Sequence, residues 1–315
     1  MIAFIARRLL TLFATLAVVS VLAFMIPYVS GGDPVRNILR ARSPDPVLDP
    51  AAVAALTQQL GLDRPIHQQY WEWLSLALRG DFGLSFTART PVDQMFLSGL
   101  GVSLSLSLGA ILVALLIGLP MGIMAAARPS GVVDNAATFI TQTLVALPEY
   151  WVGPLLVLVF TIHLGWLPSA GWDDWSSMIL PTLVLAMRPT AYFAQVARAA
   201  MFEVLRSPYM VAARARGLSA WQAVARHGLK NAMLPVMTLF SLWLTGLLGG
   251  SVIVEVIFAV PGMGWLLYEA VLNNDVPLLQ GALVCIVALT VGINTLSDVV
   301  TALLNPAIKI SGKGA

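Results

Sequence analysis

Charge is what this sequence has least of. Only 11% of its 315 residues are Asp, Glu, Lys or Arg, while 58% are hydrophobic; a soluble domain carries roughly one quarter charged residues. With a mean hydropathy of +0.83, the composition argues against a soluble enzyme. Eighteen basic residues against sixteen acidic leave a net charge of +2, too small an imbalance for the basic stripe that nucleic-acid binding needs. The single cysteine, Cys285, excludes an intrachain disulfide and a cysteine-built metal site. The three histidines, His67, His163 and His227, are too dispersed for metal-ligand spacing. No G-x-x-x-x-G-K-[ST] phosphate loop occurs, so the chain has no ATPase site of its own.

What the sequence does have is long apolar runs. Crossing the hydrocarbon core takes about 20 mostly apolar residues at ~1.5 Å each. Six stretches qualify: residues 9–28, 100–126, 136–162, 177–200, 233–258 and 280–304. The expected architecture is an all-α membrane protein with one transmembrane domain over residues 1–315, an outer loop at 29–99 and a cytoplasmic loop at 201–232. The first run follows Arg7 and Arg8, is too long for a signal peptide and lacks a small-x-small cleavage site, so it reads as a retained anchor.

Basic residues orient the spans, because short cytoplasmic loops hold Lys and Arg in excess. Arg7 and Arg8, Arg128, the group Arg206, Arg214, Arg216, Arg226 and Lys230, and Lys309 and Lys313 all fall on one side. The short loops 163–176 and 259–279 contain no Lys or Arg and carry Asp173, Asp174, Glu269 and Asp275 instead. Both termini are therefore expected in the cytoplasm. The outer loop contains six arginines, but it is long enough that the rule is weak there.

Within that outer loop, Ile66 to Arg79 carries Tyr70, Trp71, Trp73, Leu74 and Leu78, a pattern expected of a helix lying at headgroup level. It could serve as a structural cover over the helix ends, as a docking surface for an external partner, or as both. Trp166, Trp172, Trp175 and Trp265 read first as interfacial anchors.

The cytoplasmic loop is longer than an antiparallel helix pair requires. Ser207-Pro208 is a helix start, with serine as N-cap and proline in the first turn, and Gly217 is the matching stop, giving a helix over 208–216. Ser219 to Gln222 has capping-box spacing, so a second short helix is expected to run to about His227 and break at Gly228. Tyr209, Ala212, Ala213 and Arg216 recur at helical spacing, and the small alanines suit either a peg in a partner's groove or a helix resting on anionic headgroups.

Ionisable residues inside spans are costly and face protein or water. Glu149, between Pro148 and Tyr150, predicts a kinked third span, and Arg188 before Pro189 lies midway along the fourth. The two could form a salt bridge, either structural or lining a path. Glu255 lies near the outer end of the fifth span, where snorkelling would lower its cost. Asn294 and Asp298, four apart on one face, suit interhelical hydrogen bonding. Gly118 with Gly122, and Gly246 with Gly250, have the spacing of close helix contacts.

The elbow Tyr209-Met-Val-Ala-Ala213-Arg-Ala-Arg-Gly217-Leu218, followed by His227-Gly-Leu-Lys-Asn231-Ala-Met-Leu-Pro235, resembles the coupling loop of ABC importer permeases, and more narrowly the B-type permease of the oligopeptide, dipeptide and nickel class. Gly32-Asp33-Pro34, Leu60-Gly-Leu-Asp63-Arg-Pro65, Gly80-Asp81-Phe-Gly83, Glu255-Val-Ile-Phe258, Pro261-Gly-Met-Gly264 and Asp275-Val-Pro277 agree with it in order along nearly the whole chain. Two departures from the general permease pattern, Val211 where that pattern has glutamate and a long interval from Gly217 to Pro235, are features of the peptide class. Ala307 in the tail stands where relatives often have arginine.

The resemblance implies a type I importer fold and a half-transporter in the bacterial inner membrane. It implies a homologous second permease, two cytoplasmic ATPase subunits that bind ATP and magnesium, and an external substrate-binding protein. It places ATPase coupling on Ser207, Pro208, Tyr209, Ala212, Ala213, Arg216, Gly217 and Leu218. Glu149, Arg188 and Glu255 become candidates for the path, and Tyr70, Trp73, Asp81, Pro261, Gly262, Gly264 and Asp275 for binding-protein docking. The expected substrates are di- and oligopeptides; nickel, nickel chelates, glutathione and opines are alternatives within the class. A secondary transporter would be expected to show inverted repeats and a midplane charge cluster, and a membrane hydrolase would need a nucleophile with a base or metal pair. Neither pattern is convincing in this sequence.

Overall fold

The computed structural model describes residues 2–29, 50–59 and 63–304. Gly32-Asp33-Pro34, Leu60 to Leu62 and the tail with Ala307, Lys309 and Lys313 lie outside the described residues. Among the described residues the backbone is helical apart from turns and one isolated antiparallel bridge, Leu84 to Pro91. The chain divides into two compact units, Met1–Ser103 with Pro261–Ala315, and Leu104–Val260.

The first unit is built on α1 (Ile2–Val29) and the C-terminal helix, with α2 (Pro50–Gln59), α3 (Ile66–Ala77) and the start of α4 (Val92–Ala127) beside them. The C-terminal helices are here numbered after those of the second unit: α12 (Met263–Leu272) and α13 (Val276–Leu304). α1 and α13 are tied at two levels. Gln280 Nε2 donates to Ala23 O at 3.2 Å, and Arg8 Nη2 meets Asp298 Oδ2 at 2.9 Å. Asp298 thus makes an interhelical contact of the kind its position predicts. The α3 helix is amphipathic as expected. Its Tyr70 and Trp73 rings pack 5.4 and 5.9 Å from the Phe24 ring, and Trp71 and Leu78 remain exposed.

The second unit contains the rest of α4, α5 (Val132–Ala146), α6 (Glu149–Leu156, continued as a wider π turn over Val157–His163), α7 (Ile179–Leu205), α8 (Pro208–Ala215), α9 (Ala220–Ala223), α10 (Leu229–Gly250) and α11 (Val252–Ile257). One close helix contact in it is glycine-built. A Cβ on Gly118 would lie 2.7 Å from Thr190 O, and one on Gly122 would lie 2.3 Å from Ala194 O, so α4 approaches α7 closely only because both positions lack side chains. Gly246 and Gly250 differ: nothing lies within 4 Å of a Cβ built at either. The expected close packing at that pair is not made within the described residues.

Among the described residues three helices, Ile5–Val29, Val92–Ala127 and Val276–Val299, are long and apolar enough to cross a membrane, and α5 with α6 makes a fourth if the bent pair is one span; α7 and α10, where the fourth and fifth spans are expected, are not among them. Several expected boundaries move. The helix expected from residue 100 starts at Val92, with Asp93 in its first turn. The third span is divided by a 98° bend rather than a kink, because Leu147, preceding Pro148, is held extended at φ −76° and ψ 122°. The fifth is interrupted at Ser251, where the helix turns at φ −75° and ψ −1° just after the Gly249-Gly250 pair. Gly228 does not break the second short helix. It stays helical at φ −78° and ψ −50°, and the chain passes through a π turn over Val224–Gly228 directly into α10.

Candidate functional site

The elbow over residues 207–228 is the best-defined candidate. Ser207 has the extended backbone of an N-cap, at φ −68° and ψ 148°, with Pro208 at the first helical position. Its hydroxyl does not cap α8: it donates to Val204 O at 2.6 Å, and the free amides of Met210 and Val211 turn to the Ser207 carbonyl instead. Gly217 ends the helix at φ +93°, a left-handed conformation that a side chain would strain. Ser219 and Gln222 make the expected reciprocal pair: Ser219 N donates to Gln222 Oε1 at 3.0 Å and Gln222 N to Ser219 Oγ at 3.3 Å.

Burial divides α8 differently from its spacing. Met210 and Ala213 are each 1% exposed and sit in an apolar cluster with Met201, Val204, Ala223 and Val224. Ala213 is therefore part of the elbow's own core and is not on the outward face. Tyr209, Val211, Ala212 and Arg216 form the exposed surface, with Leu218 half-buried behind it. Arg216 Nε donates to Ala212 O at 3.3 Å and so satisfies a terminal carbonyl of its own helix. The outward face is thus an aromatic ring, a small residue and a cation on a rigid base.

A second candidate lies at the bend between α5 and α6. Glu149 opens α6, and Arg188 Nε on α7 approaches its Oε1 at 3.6 Å; the arginine side chain is 47% exposed and the glutamate 18%. One turn along α7, Tyr192 is exposed on the same side and packs 5.4 Å from the Trp243 ring of α10. The opposite side of α7, including Pro189, Ala191 and Phe193, is buried. A cation, a carboxylate and two aromatic rings therefore share one open face in the middle of an apolar helix set.

Glu255 does not join them and does not snorkel. It is 0% exposed in α11, and Ser251 Oγ donates to its Oε1 at 2.6 Å. An ionisable group sealed this way holds the bend after Ser251 and offers no surface to a solute.

Among the residues expected to dock a binding protein, most are packed. Asp275 is 0% exposed and accepts from Ser85 Oγ at 2.6 Å, Thr87 N at 3.0 Å and Leu278 N at 3.3 Å, so one carboxylate fastens the 85–90 turn to the first turn of α13. Gly262 and Gly264 are buried, with Gly262 beside Gly99 and Met263 N donating to Ser103 Oγ at 2.8 Å. Tyr70 shares a 2.8 Å hydroxyl bond with Ser20. Asp81 and Pro261 stay exposed.

One strong polar contact has no signal in the sequence. Asp134 accepts from Arg198 Nε at 2.5 Å and Nη2 at 2.8 Å, and from Ser130 N at 2.9 Å, which ties the start of α5 to α7. The two residues are 64 positions apart, with no motif linking them.

The sequence pattern described as "Binding-protein-dependent transport system inner membrane component" matches residues 118–310, and that of its N-terminal companion matches residues 1–107. The chain belongs to this family. The glutathione transport system permease protein GsiC of Escherichia coli strain K12 is 38% identical over 309 residues, covering 98% of this chain and 99% of that protein. The counterpart from Salmonella choleraesuis strain SC-B67 matches to the same extent. Two structures of the MetNI methionine ABC transporter in inward-facing conformations share the fold, with TM-scores of 0.56 and 0.58 at 19% and 18% identity, each covering 67% of this chain and 97% of the other. The protein is thus an inner-membrane permease subunit of an ABC importer. Permeases of the family work with ATPase subunits and a binding protein.

Proposed function

We propose that the permease forms one half of a translocation path for small peptides, with the Arg188–Glu149 face turned toward that path. The observation that carries this reading is the exposure of Arg188 midway along α7, the helix that the hydrophobic pattern reads as the fourth span. A half-exposed guanidinium in hydrocarbon is costly, and the cost is removed when the group faces water or a polar solute. Arg188 and Glu149 offer opposite charges to the carboxylate and ammonium ends of a peptide, and Tyr192 with Trp243 offers apolar surface between. Glutathione is itself a tripeptide, so the name of the GsiC relatives fits a peptide-shaped solute better than a metal ion.

One open face makes half a path. A homologous permease supplies the other half, and the outward face of α8 (Tyr209, Ala212 and Arg216) fits a groove on an ATPase subunit. ATP and magnesium are held by those subunits. Closure of the ATPase pair on ATP carries the elbow with it, because Met210 and Ala213 lock α8 to α7 and the 223–224 turn. The outer surface with Asp81 and Pro261 receives the binding protein.

Import of a radiolabelled tripeptide into vesicles containing the assembled importer tests the path. Arg188→Ala is expected to raise the KM with the chain still assembled, and Arg188→Lys to recover part of the loss. Unchanged import by Arg188→Ala would remove this face from the path.

A further inference from the structure

A cleft of about 630 Å³ opens in the second unit at the base of α8, between the inner ends of α4 and α7. Its floor is apolar, formed by Ile123, Met201 and Leu205, and three arginines, Arg128, Arg206 and Arg214, line it. Among the described residues none of the three forms a salt bridge. Arg206 is held with its guanidinium carbon 4.0 Å over the ring of Phe202, another wall residue. Glu203, the nearest acid along α7, is exposed and does not line the cleft.

An occupant must answer both features at once. Three guanidiniums with no carboxylate partner among the described residues favour phosphate oxygens, and an apolar floor of this size favours hydrocarbon. A soluble anion supplies only the first, and a neutral acyl chain only the second. The arginines are among the basic residues that mark the cytoplasmic side, so the cleft opens at the level of the inner leaflet, where basic pockets between helices recruit acidic headgroups. We propose that it binds an anionic phospholipid of that leaflet, with the phosphate among Arg128, Arg206 and Arg214 and an acyl chain against Ile123, Met201 and Leu205. Met201 also belongs to the cluster beneath the elbow, so the bound lipid braces the base of α8. This proposal stands apart from the substrate reading, since none of its residues is assigned to the path.

The test uses the assembled importer in phosphatidylcholine nanodiscs with a photoactivatable phosphatidylglycerol as probe. Adducts are expected on peptides spanning residues 123–133 and 201–206, displaced by unlabelled phosphatidylglycerol but not by added phosphatidylcholine. One arginine near an anionic headgroup is worth about fivefold in affinity, so R128Q/R206Q is expected to weaken that competition by about thirtyfold. Should the double variant fail to assemble, the competition on the unaltered importer decides alone. Adducts spread evenly over the apolar surface, equal displacement by phosphatidylcholine, full labelling of an assembled double variant, or protection of the cleft by a partner subunit's peptide would each overturn the proposal.

Discussion

Arg198 grips Asp134 with two nitrogens, while the carboxylate also accepts the Ser130 amide, so the turn entering α5 is fastened to α7 by one acidic side chain that is 4% exposed. A buried carboxylate stripped of its cation is destabilising. Arg198→Ala is therefore expected to lower the melting temperature of the detergent-purified permease more than Arg198→Lys, which keeps the charge but loses the fork. Equal melting for both variants and the unaltered chain would show that the pair carries no stability.

The two glycine pairs give opposite expectations from the same spacing. Gly122→Leu drives a side chain into Ala194 O and should cost at least the ~1–3 kcal/mol of overpacking. Gly246→Leu meets open space and should leave the thermal melt of the chain nearly unchanged. Thermal melts of the two variants compare them directly.

In α8, exposed and buried positions separate folding from coupling. Met210→Ala is expected to cost about 2–5 kcal/mol by opening a cavity under the elbow, and Ala213→Trp to disrupt the same cluster. Ala212→Trp and Tyr209→Ala should leave the fold intact while abolishing transport-linked ATP hydrolysis. Proteolysis of the elbow read alongside ATPase rates separates the two classes. Normal coupling in Ala212→Trp would place the ATPase contact elsewhere.

Much of this was legible in the sequence, and the failures have physical reasons. Gly217, Pro208 and the Ser219–Gln222 pair are local devices, decided within one turn, and the structure has each where the spacing puts it. The Ser207 hydroxyl was free to bond backward to Val204 O, so the cap position was legible but its bond was not. Ala213 looked outward because spacing gives a face without saying what lies behind it, and the Met201–Met210 cluster lies behind it. Glu255 reads as snorkelling from its place near a span end, whereas the fold turns the Ser251 hydroxyl, four residues earlier, onto its carboxylate. Asp134 with Arg198 depends on two helices meeting, which no local pattern encodes.

Acidification should loosen the 163–176 loop. The Ser176 hydroxyl, and then the Ser177 amide, donate to Asp174 and hold its carboxyl below the usual range. A lowered value means that the stabilisation is complete above the ordinary carboxylate pKa and is lost as pH falls through the lowered one. Hydrogen exchange at the Ser177 amide, corrected for its intrinsic rate, is expected to quicken at that acidic end. Asp174→Asn should show the fast rate already at neutral pH, and a pH-independent protection factor would contradict this assignment.

The most direct test of the central reading is uptake by cells with and without this gene, using labelled di- and tripeptides, glutathione among the latter, and in parallel radioactive nickel with and without a chelator. Peptide import by this permease predicts that peptide uptake falls on deletion, returns with the unaltered gene and does not return fully with Arg188→Ala, while nickel uptake is unchanged. Loss of nickel uptake with peptide uptake intact would contradict it.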